Sequence, residues 1–215
     1  MKIKSVIFDL DGTLLNTLDD LRDSVNHVLA AHSMPARTLS EIRRFVGNGI
    51  PKLIYRAVSA GTSPAEAEAC VAEMLAYYAA HCEIKTAPYD GILPLLDALK
   101  NAGIRTAVVT NKDHTAAAEL CGKMFGDRLS AVIGAAPGRK FKPAPDGVWE
   151  AMRLIDAKAD STVYVGDSDV DMLTAANAGL PAVAVLWGFR DRDALEQFSP
   201  FAVCENAEDL RKIVL

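Results

Sequence analysis

The chain alternates short runs rich in β-branched residues with segments of helical periodicity along most of its length. Strands that are buried on both faces form short apolar runs, and parallel neighbours need a crossover helix between them. The alternation therefore predicts an α/β fold, a Rossmann-like parallel sheet core flanked by helices. The predicted strands are Ile3–Phe8, Arg105–Thr110, Ala131–Gly134, Thr162–Gly166, Ala182–Leu186 and a weaker run, Phe201–Cys204.

One long interval, residues 15–83, contains no convincing strand. Thr17 and Asp20 have the spacing of a helix capping box, and Ser63-Pro64 predicts the start of a second helix. A helical insertion of this length directly after the first strand predicts a separate cap domain. The predicted division is residues 1–14 and 84–215 for the α/β core and residues 15–83 for an all-α cap.

Composition excludes several classes of partner and location. The chain has 28 acidic and 23 basic residues, a net charge of −5, and no basic run, so neither a nucleic acid nor a membrane is expected as a partner. The apolar stretch Leu180–Trp187 is too short to span a bilayer, and Asp9 comes too early for a signal peptide. Four cysteines without CxxC spacing predict reduced thiols in a cytoplasmic protein.

Acidic residues follow two of the predicted strands. Asp9 and Asp11 come directly after the first strand, and Asp167 and Asp171 come after the fourth. Ligands of parallel sheets bind at the carboxyl ends of the strands, where these carboxylates would repel one another without a cation. Oxygen ligands without His or Cys favour Mg²⁺. The alternatives are an ordinary Asp-Gly turn and a capping box formed by Ser168 with Asp171.

Polar residues follow two further strands. Thr110 and Asn111 end the second strand, where a hydroxyl and an amide suit a phosphate oxygen, although both residues also suit a plain strand end and helix cap. Lys142 lies between Phe141 and Pro143 and is either a fixed positive charge or part of a solvated loop. Carboxylates with a metal, a hydroxyl and an ammonium group together suit phosphoryl transfer.

With these motifs in order, the sequence closely resembles the haloacid dehalogenase superfamily over essentially the whole chain, and the insertion resembles its C1-type cap. The four matching motifs are Asp9–Thr13 (DxDGT), Thr110-Asn111, Lys142-Pro143 and Gly166–Asp171 (GDSxxD). The resemblance implies that Asp9 attacks phosphorus to form an aspartyl-phosphate and that Asp11 serves as acid and then base. The resemblance also implies that Asp9, Asp167 and the backbone carbonyl of Asp11 bind Mg²⁺, with Asp171 assisting through water and Ser168 supporting the site. It implies further that Thr110, Asn111 and Lys142 bind the phosphoryl oxygens.

The cap segment Val46-Gly47-Asn48-Gly49 resembles that of phosphoglycolate phosphatases. Its helix-start N–H groups could meet an anionic substrate, with Lys52 and Arg56 nearby, although a plain helix–helix turn would have the same residues. Some phosphonate hydrolases of the superfamily use a cap lysine as a Schiff base. We do not expect this role for Lys52, because an amine nucleophile must be desolvated.

The sequence therefore predicts a Mg²⁺-dependent phosphatase of a small phosphorylated metabolite, with 2-phosphoglycolate as the leading candidate. Asp11 and Asp167 argue against a dehalogenase, which needs neither a metal nor a second acid. The alternatives are a β-phosphoglucomutase-like sugar phosphomutase and a non-catalytic phospho-ligand sensor. We expect a monomer or a small homo-oligomer. The segment Trp187–Arg190, after the fifth strand, has no role assigned by its sequence.

Overall fold

A computed structural model describes residues 2–215, which form two compact units. One contains the chain up to Leu15 together with Pro88–Leu215, and the other is Asn16–Ala87. Within the described residues, the helices are all too short or too polar to cross a membrane. All four cysteines are buried, and none forms a disulfide within the described residues.

The α/β unit is built on a six-stranded sheet in the order β5-β4-β1-β6-β7-β8, in which neighbouring strands are parallel. This arrangement confirms the predicted fold class. The strands are β1 (Ser5–Phe8), β2 (Leu15–Asn16), β3 (Ala87–Pro88), β4 (Arg105–Asp113), β5 (Ala131–Ala135), β6 (Thr162–Gly166), β7 (Ala182–Val185) and β8 (Ala202–Cys204). The short strands β2 and β3 form a separate two-stranded sheet where the chain enters and leaves the helical unit.

Helices cover both faces of the large sheet. The helices are α1 (Leu18–Ala31), α2 (Leu39–Phe45), α3 (Gly49–Ala57), α4 (Pro64–His81), α5 (Ile92–Asn101), α6 (His114–Phe125), α7 (Asp146–Leu154), α8 (Asp169–Ala178), α9 (Arg192–Glu196) and α10 (Ala207–Val214). Because side chains alternate along a strand, Val6 and Phe8 of β1 join a core with α5, α6 and α10. Ile7 faces the other way, into a core that includes residues of α7 and α8.

The helical unit has a hydrophobic core of its own, to which α1, α2, α3 and α4 all contribute. The unit extends to Ala87 instead of the predicted residue 83. The cause is Asp20, which is buried and accepts hydrogen bonds from the backbone N–H groups of Lys85, at 3.0 Å, and Thr86, at 2.9 Å. The predicted capping box of Thr17 and Asp20 is therefore wrong, and the Thr17 side chain makes no capping hydrogen bond.

We expect Asp20→Ala to lower the free energy of unfolding by about 2–3 kcal/mol, because two backbone donors at a buried position would lose a charged acceptor. Urea unfolding measures this loss, and hydrogen exchange should accelerate at Lys85 and Thr86. The matched control is Asp19→Ala, whose half-exposed carboxylate pairs only with a partly exposed Arg22. Its expected effect is about 0.5 kcal/mol or less. Equal losses for the two variants would contradict this role of Asp20.

Candidate active site

The predicted site residues of the core lie at or beyond the carboxyl ends of four neighbouring strands, β5, β4, β1 and β6. β1 lies between β4 and β6, with Phe8 in register with Val108 on one side and with Val165 on the other. The chain builds β4 and β5 on one side of β1 and then β6 on the other, so the strand order reverses at β1. The carboxyl end at such a reversal is where open parallel sheets bind ligands. Asp9 is the first residue beyond β1.

Three carboxylates are buried together at this end of the sheet. One oxygen each from Asp9, Asp167 and Asp171 lies within 4.8 Å of the others. Burial raises the pKa of Asp9 well above its usual value; Asp171 adds to the shift and Lys142 opposes it. Burial, followed by the charge of Asp171, raises the pKa of Asp167 to about 7. Both shifts reflect the free energy needed to hold negative charges close together away from water.

Lys142 brings a positive charge into this cluster. Its Nζ donates to Oδ1 of Asp9 at 2.6 Å and to Oδ1 of Asp171 at 2.8 Å. Burial by itself would lower the pKa of Lys142, but Asp171 and Asp9 reverse the effect and hold the pKa above its usual value. Tyr164, whose hydroxyl is 3.1 Å from both Nζ and Asp171, completes the packing around the ammonium group. The charge of Lys142 is therefore fixed within the site.

Asp171 is held in place by its own helix as well. Ser168 and Asp171 form a complete capping box at the start of α8, and the Ser168 hydroxyl donates to Oδ2 of Asp171 at 2.6 Å. The capping box considered in the sequence is therefore real, and Asp171 contacts Lys142 in addition. One ammonium group faces three carboxylates, so an excess of negative charge lies among oxygen donors. This donor set fits a hard divalent cation.

The end of β4 carries the second motif. The pairing of β4 with β5 shifts between Val109 and Asp113, and such an irregularity redirects side chains at a strand end. The Thr110 hydroxyl is buried and accepts a hydrogen bond from the Lys112 backbone N–H. The Asn111 amide binds the main chain of Lys142 at both ends, with its oxygen 2.8 Å from the Lys142 nitrogen. Asn111 therefore fixes the loop that carries Lys142.

Sequence reasoning missed Lys112, although it directly follows this motif. Its side chain is only 8% exposed, and its Nζ lies 3.1 Å from Oδ1 of Asp11. The carboxylate of Asp11 is not one of the three clustered carboxylates and pairs with this lysine. From the sequence alone, a lysine beside Thr110-Asn111 would be taken for an ordinary surface residue. Only the irregular end of β4 and the turn after β1 place it next to Asp11.

Within the helical unit, the Gly-rich segment forms a turn into α3. Gly47 and Gly49 both have positive φ, and Asn48 precedes the helix without capping it through its side chain. Arg56 instead donates to the backbone oxygen of Phe45 and, at 2.8 Å, to Oδ1 of Asn48. Arg56 thus holds this turn together.

Lys52 is exposed on the same helix, α3. An exposed amine lacks the desolvated surroundings that a Schiff-base lysine requires.

Residues 6–185 match the family model described as haloacid dehalogenase-like hydrolase. The chain belongs to this family. A phosphoglycolate phosphatase from Mesorhizobium japonicum is 36% identical over 209 residues, which cover 95% of this chain and 92% of that protein. Phosphoglycolate phosphatase 1 of Pseudomonas aeruginosa is 31% identical over 95% of this chain and 77% of its own. These relatives confirm the predicted resemblance to phosphoglycolate phosphatases and the prediction of an enzyme of the phosphoric monoester hydrolase type.

The fold of this haloacid dehalogenase-like hydrolase also matches solved structures. A candidate phosphoglycolate phosphatase from Lactobacillus delbrueckii subsp. bulgaricus superimposes with a TM-score of 0.95 at 31% identity, over 100% of this chain and 99% of that one. The similarity therefore extends through both units of the chain, beyond the residues that carry the four motifs.

Proposed function

We propose that this protein is a Mg²⁺-dependent phosphatase that hydrolyses a small phosphorylated metabolite through an aspartyl-phosphate, with 2-phosphoglycolate as the first substrate to test. The observation that carries the proposal is the buried carboxylate of Asp9, 2.6 Å from the ammonium group of Lys142 at the carboxyl end of β1. Lys142 engages Oδ1, which leaves Oδ2 outside this hydrogen bond. A nucleophilic carboxylate needs such an oxygen, together with a positive charge that offsets the repulsion between the carboxylate and the anionic phosphate.

In the proposed reaction, Oδ2 of Asp9 bonds to phosphorus while the bond from phosphorus to the ester oxygen breaks. Asp11 gives a proton to the leaving oxygen and later takes one from the water that hydrolyses the aspartyl-phosphate. Lys112, 3.1 Å from Asp11, keeps that carboxylate at the edge of the site before substrate binds. Thr110 and Lys142 bind phosphoryl oxygens, and Asn111 orients Lys142.

The residues proposed to hold Mg²⁺ are Asp9, Asp167 and the backbone carbonyl of Asp11, supported by Asp171 and Ser168. The bound cation would offset the repulsion between the carboxylates and an anionic phosphate. Burial and the charge of Asp171 raise the pKa values of Asp9 and Asp167, and a divalent cation held between them would stabilise their ionised forms, which supports this assignment.

We propose further that the helical unit is the cap that selects the substrate. The candidates are the turn residues Gly47, Asn48 and Gly49, with Lys52 and Arg56. Arg56 contributes by holding the turn, and the exposed Lys52 supplies a positive charge that could attract a second anionic group of the substrate. The curated relatives named phosphoglycolate phosphatase support a substrate that carries a carboxylate as well as a phosphate.

The cytoplasmic location is likewise proposed, on the basis of four buried cysteines that form no disulfide within residues 2–215. The monomeric or small homo-oligomeric state stays a prediction.

The decisive experiment measures phosphate release from a panel of phosphomonoesters, each with Mg²⁺ and with EDTA. We expect 2-phosphoglycolate to have the highest kcat/KM and EDTA to abolish turnover. Isomerised sugar phosphate without free phosphate would identify a phosphomutase instead. Tight binding of a phosphorylated ligand without any turnover would identify a sensor, and undiminished activity in EDTA would refute the metal requirement.

A further inference from the structure

The segment Trp187–Phe189, which follows β7, makes hydrogen bonds that the proposed reaction does not use. The indole nitrogen of Trp187 donates to the backbone oxygen of Thr13 at 2.9 Å. The ring of Trp187 also packs against Tyr89, with ring centroids 6.4 Å apart. The segment is thereby fastened to the turn that follows β1, which carries the first motif.

The same segment contacts a carboxylate of the acidic cluster directly. The backbone N–H of Phe189 donates to Oδ2 of Asp167 at 2.7 Å. The other oxygen, Oδ1, accepts from the hydroxyl of Thr13 at 3.1 Å. Asp167 is 1% exposed, so these two bonds to neighbouring loops define its orientation in a water-poor environment.

The close approach depends on glycine at position 188. A Cβ added to Gly188 would lie 2.3 Å from Cβ of Asp167 and 2.4 Å from the backbone oxygen of Gly12. Backbone atoms cannot yield as a flexible side chain can, so any side chain at this position must displace the loop or Asp167. Gly12 is equally crowded, since an added Cβ would lie 2.4 Å from Oδ2 of Asp167.

We propose that Trp187–Phe189 is a brace that positions Asp167 for divalent-cation binding and thereby determines the affinity of the site for the cation. Trp187 holds Thr13, Thr13 holds one oxygen of Asp167, and Phe189 holds the other. These are positioning residues, since they act on the cation through Asp167. The inference rests on the proposed function, in which Asp167 is a ligand. Groups that orient metal ligands typically change metal affinity by about 10-fold to 100-fold when they are altered.

The test is the dissociation constant for Mn²⁺, measured without substrate from the electron paramagnetic resonance signal of the free ion, and checked by displacement with Mg²⁺. We expect Gly188→Ala to raise this constant by at least about 10-fold. Trp187→Phe keeps an aromatic side chain but loses the indole N–H donor, and we expect an increase of about threefold to tenfold, as for the loss of one hydrogen bond.

Matched controls exist for both variants. Gly122→Ala introduces a Cβ into open space on a helix, and Trp149→Phe changes an exposed tryptophan on α7. Both should bind Mn²⁺ as the wild type does. Circular dichroism and the thermal midpoint of the metal-free proteins report folding separately. If Gly188→Ala does not fold, Trp187→Phe decides the outcome.

The failures of the two proposals are distinguishable. A wild-type protein that binds neither Mn²⁺ nor Mg²⁺ would refute the metal site of the proposed function and, with it, the brace. Tight binding by the wild type with an unchanged constant in folded Trp187→Phe and Gly188→Ala would refute the brace alone. This conclusion would stand even if the variants melted at a lower temperature, because a lower melting temperature with an unchanged dissociation constant indicates a purely structural role.

Discussion

Asp9→Asn is expected to lower the rate of phosphate release by at least about 10⁴-fold, since loss of a covalent nucleophile removes the reaction path itself. The variant should nevertheless fold. Burial and Asp171 raise the pKa of Asp9, so its charged form is unfavourable in the folded protein. A carboxyl with a raised folded pKa loses its contribution to stability as pH rises from about 4, the unfolded value, toward the folded value. At pH 8, the metal-free variant should therefore unfold at the same temperature as the wild type or a higher one.

The matched control for this experiment is Asp169→Asn. Asp169 lies two residues from both Asp167 and Asp171 along the chain, but its carboxylate is 45% exposed and pairs with Arg190 at 3.1 Å. An exposed pair contributes at most about 1 kcal/mol, so activity should stay within about fivefold of the wild type. Activity of Asp9→Asn in the same range as Asp169→Asn would exclude the aspartyl-phosphate mechanism.

Lys142→Met is expected to impair both catalysis and stability. Methionine has a similar shape without charge, so Asp9 and Asp171 would stay buried without their ammonium partner. Breaking such a pair lowers the free energy of unfolding by about 3–5 kcal/mol, and loss of one electrostatic donor slows catalysis by about 100-fold to 1000-fold. Urea unfolding and phosphate release measure the two effects.

The loss of stability in Lys142→Met should depend on pH. Lys142 lowers the pKa of Asp9, so its removal raises that pKa further. Because the folded pKa of Asp9 is raised further in the variant, the free energy that Asp9 costs the folded state grows as the pH rises, and the gap from the wild type should be larger at pH 8 than at pH 5. Lys140→Met, two residues earlier and exposed, should change stability by about 0.5 kcal/mol or less. A loss below about 1 kcal/mol at pH 8 for Lys142→Met would contradict the role of this ion pair.

Much of the fold and of the core site could be predicted because the signals are local. β-branched runs identified the six strands of the parallel sheet, and the acidic residues after β1 and β6 identified Asp9 and Asp167 as neighbours. Parallel strands bring their carboxyl ends to one edge whatever the details of packing. A residue type at a strand end was therefore enough to predict this acidic cluster.

Other residues were misassigned or missed because their partners are distant along the chain. Asp20 has the spacing of a capping residue, yet its partners are Lys85 and Thr86. Lys112 reaches Asp11 only after the irregular end of β4 redirects it. In each case, the local pattern differs from a contact that exists only in the folded protein, and the contact forms because a charged group with little access to water must find a partner.

The sequence by itself determined the parallel α/β sheet, the helical insertion and the strand ends at which chemistry is expected, because hydrophobic periodicity and the residue types at strand ends depend on neighbours along the chain. Only the tertiary structure decided what each polar group contacts: Lys142 with Asp9 and Asp171, Arg56 with its own turn, and Phe189 with Asp167. Such contacts join residues as far as 174 positions apart, as Trp187 and Thr13 are, and their geometry follows from how the strands and helices pack.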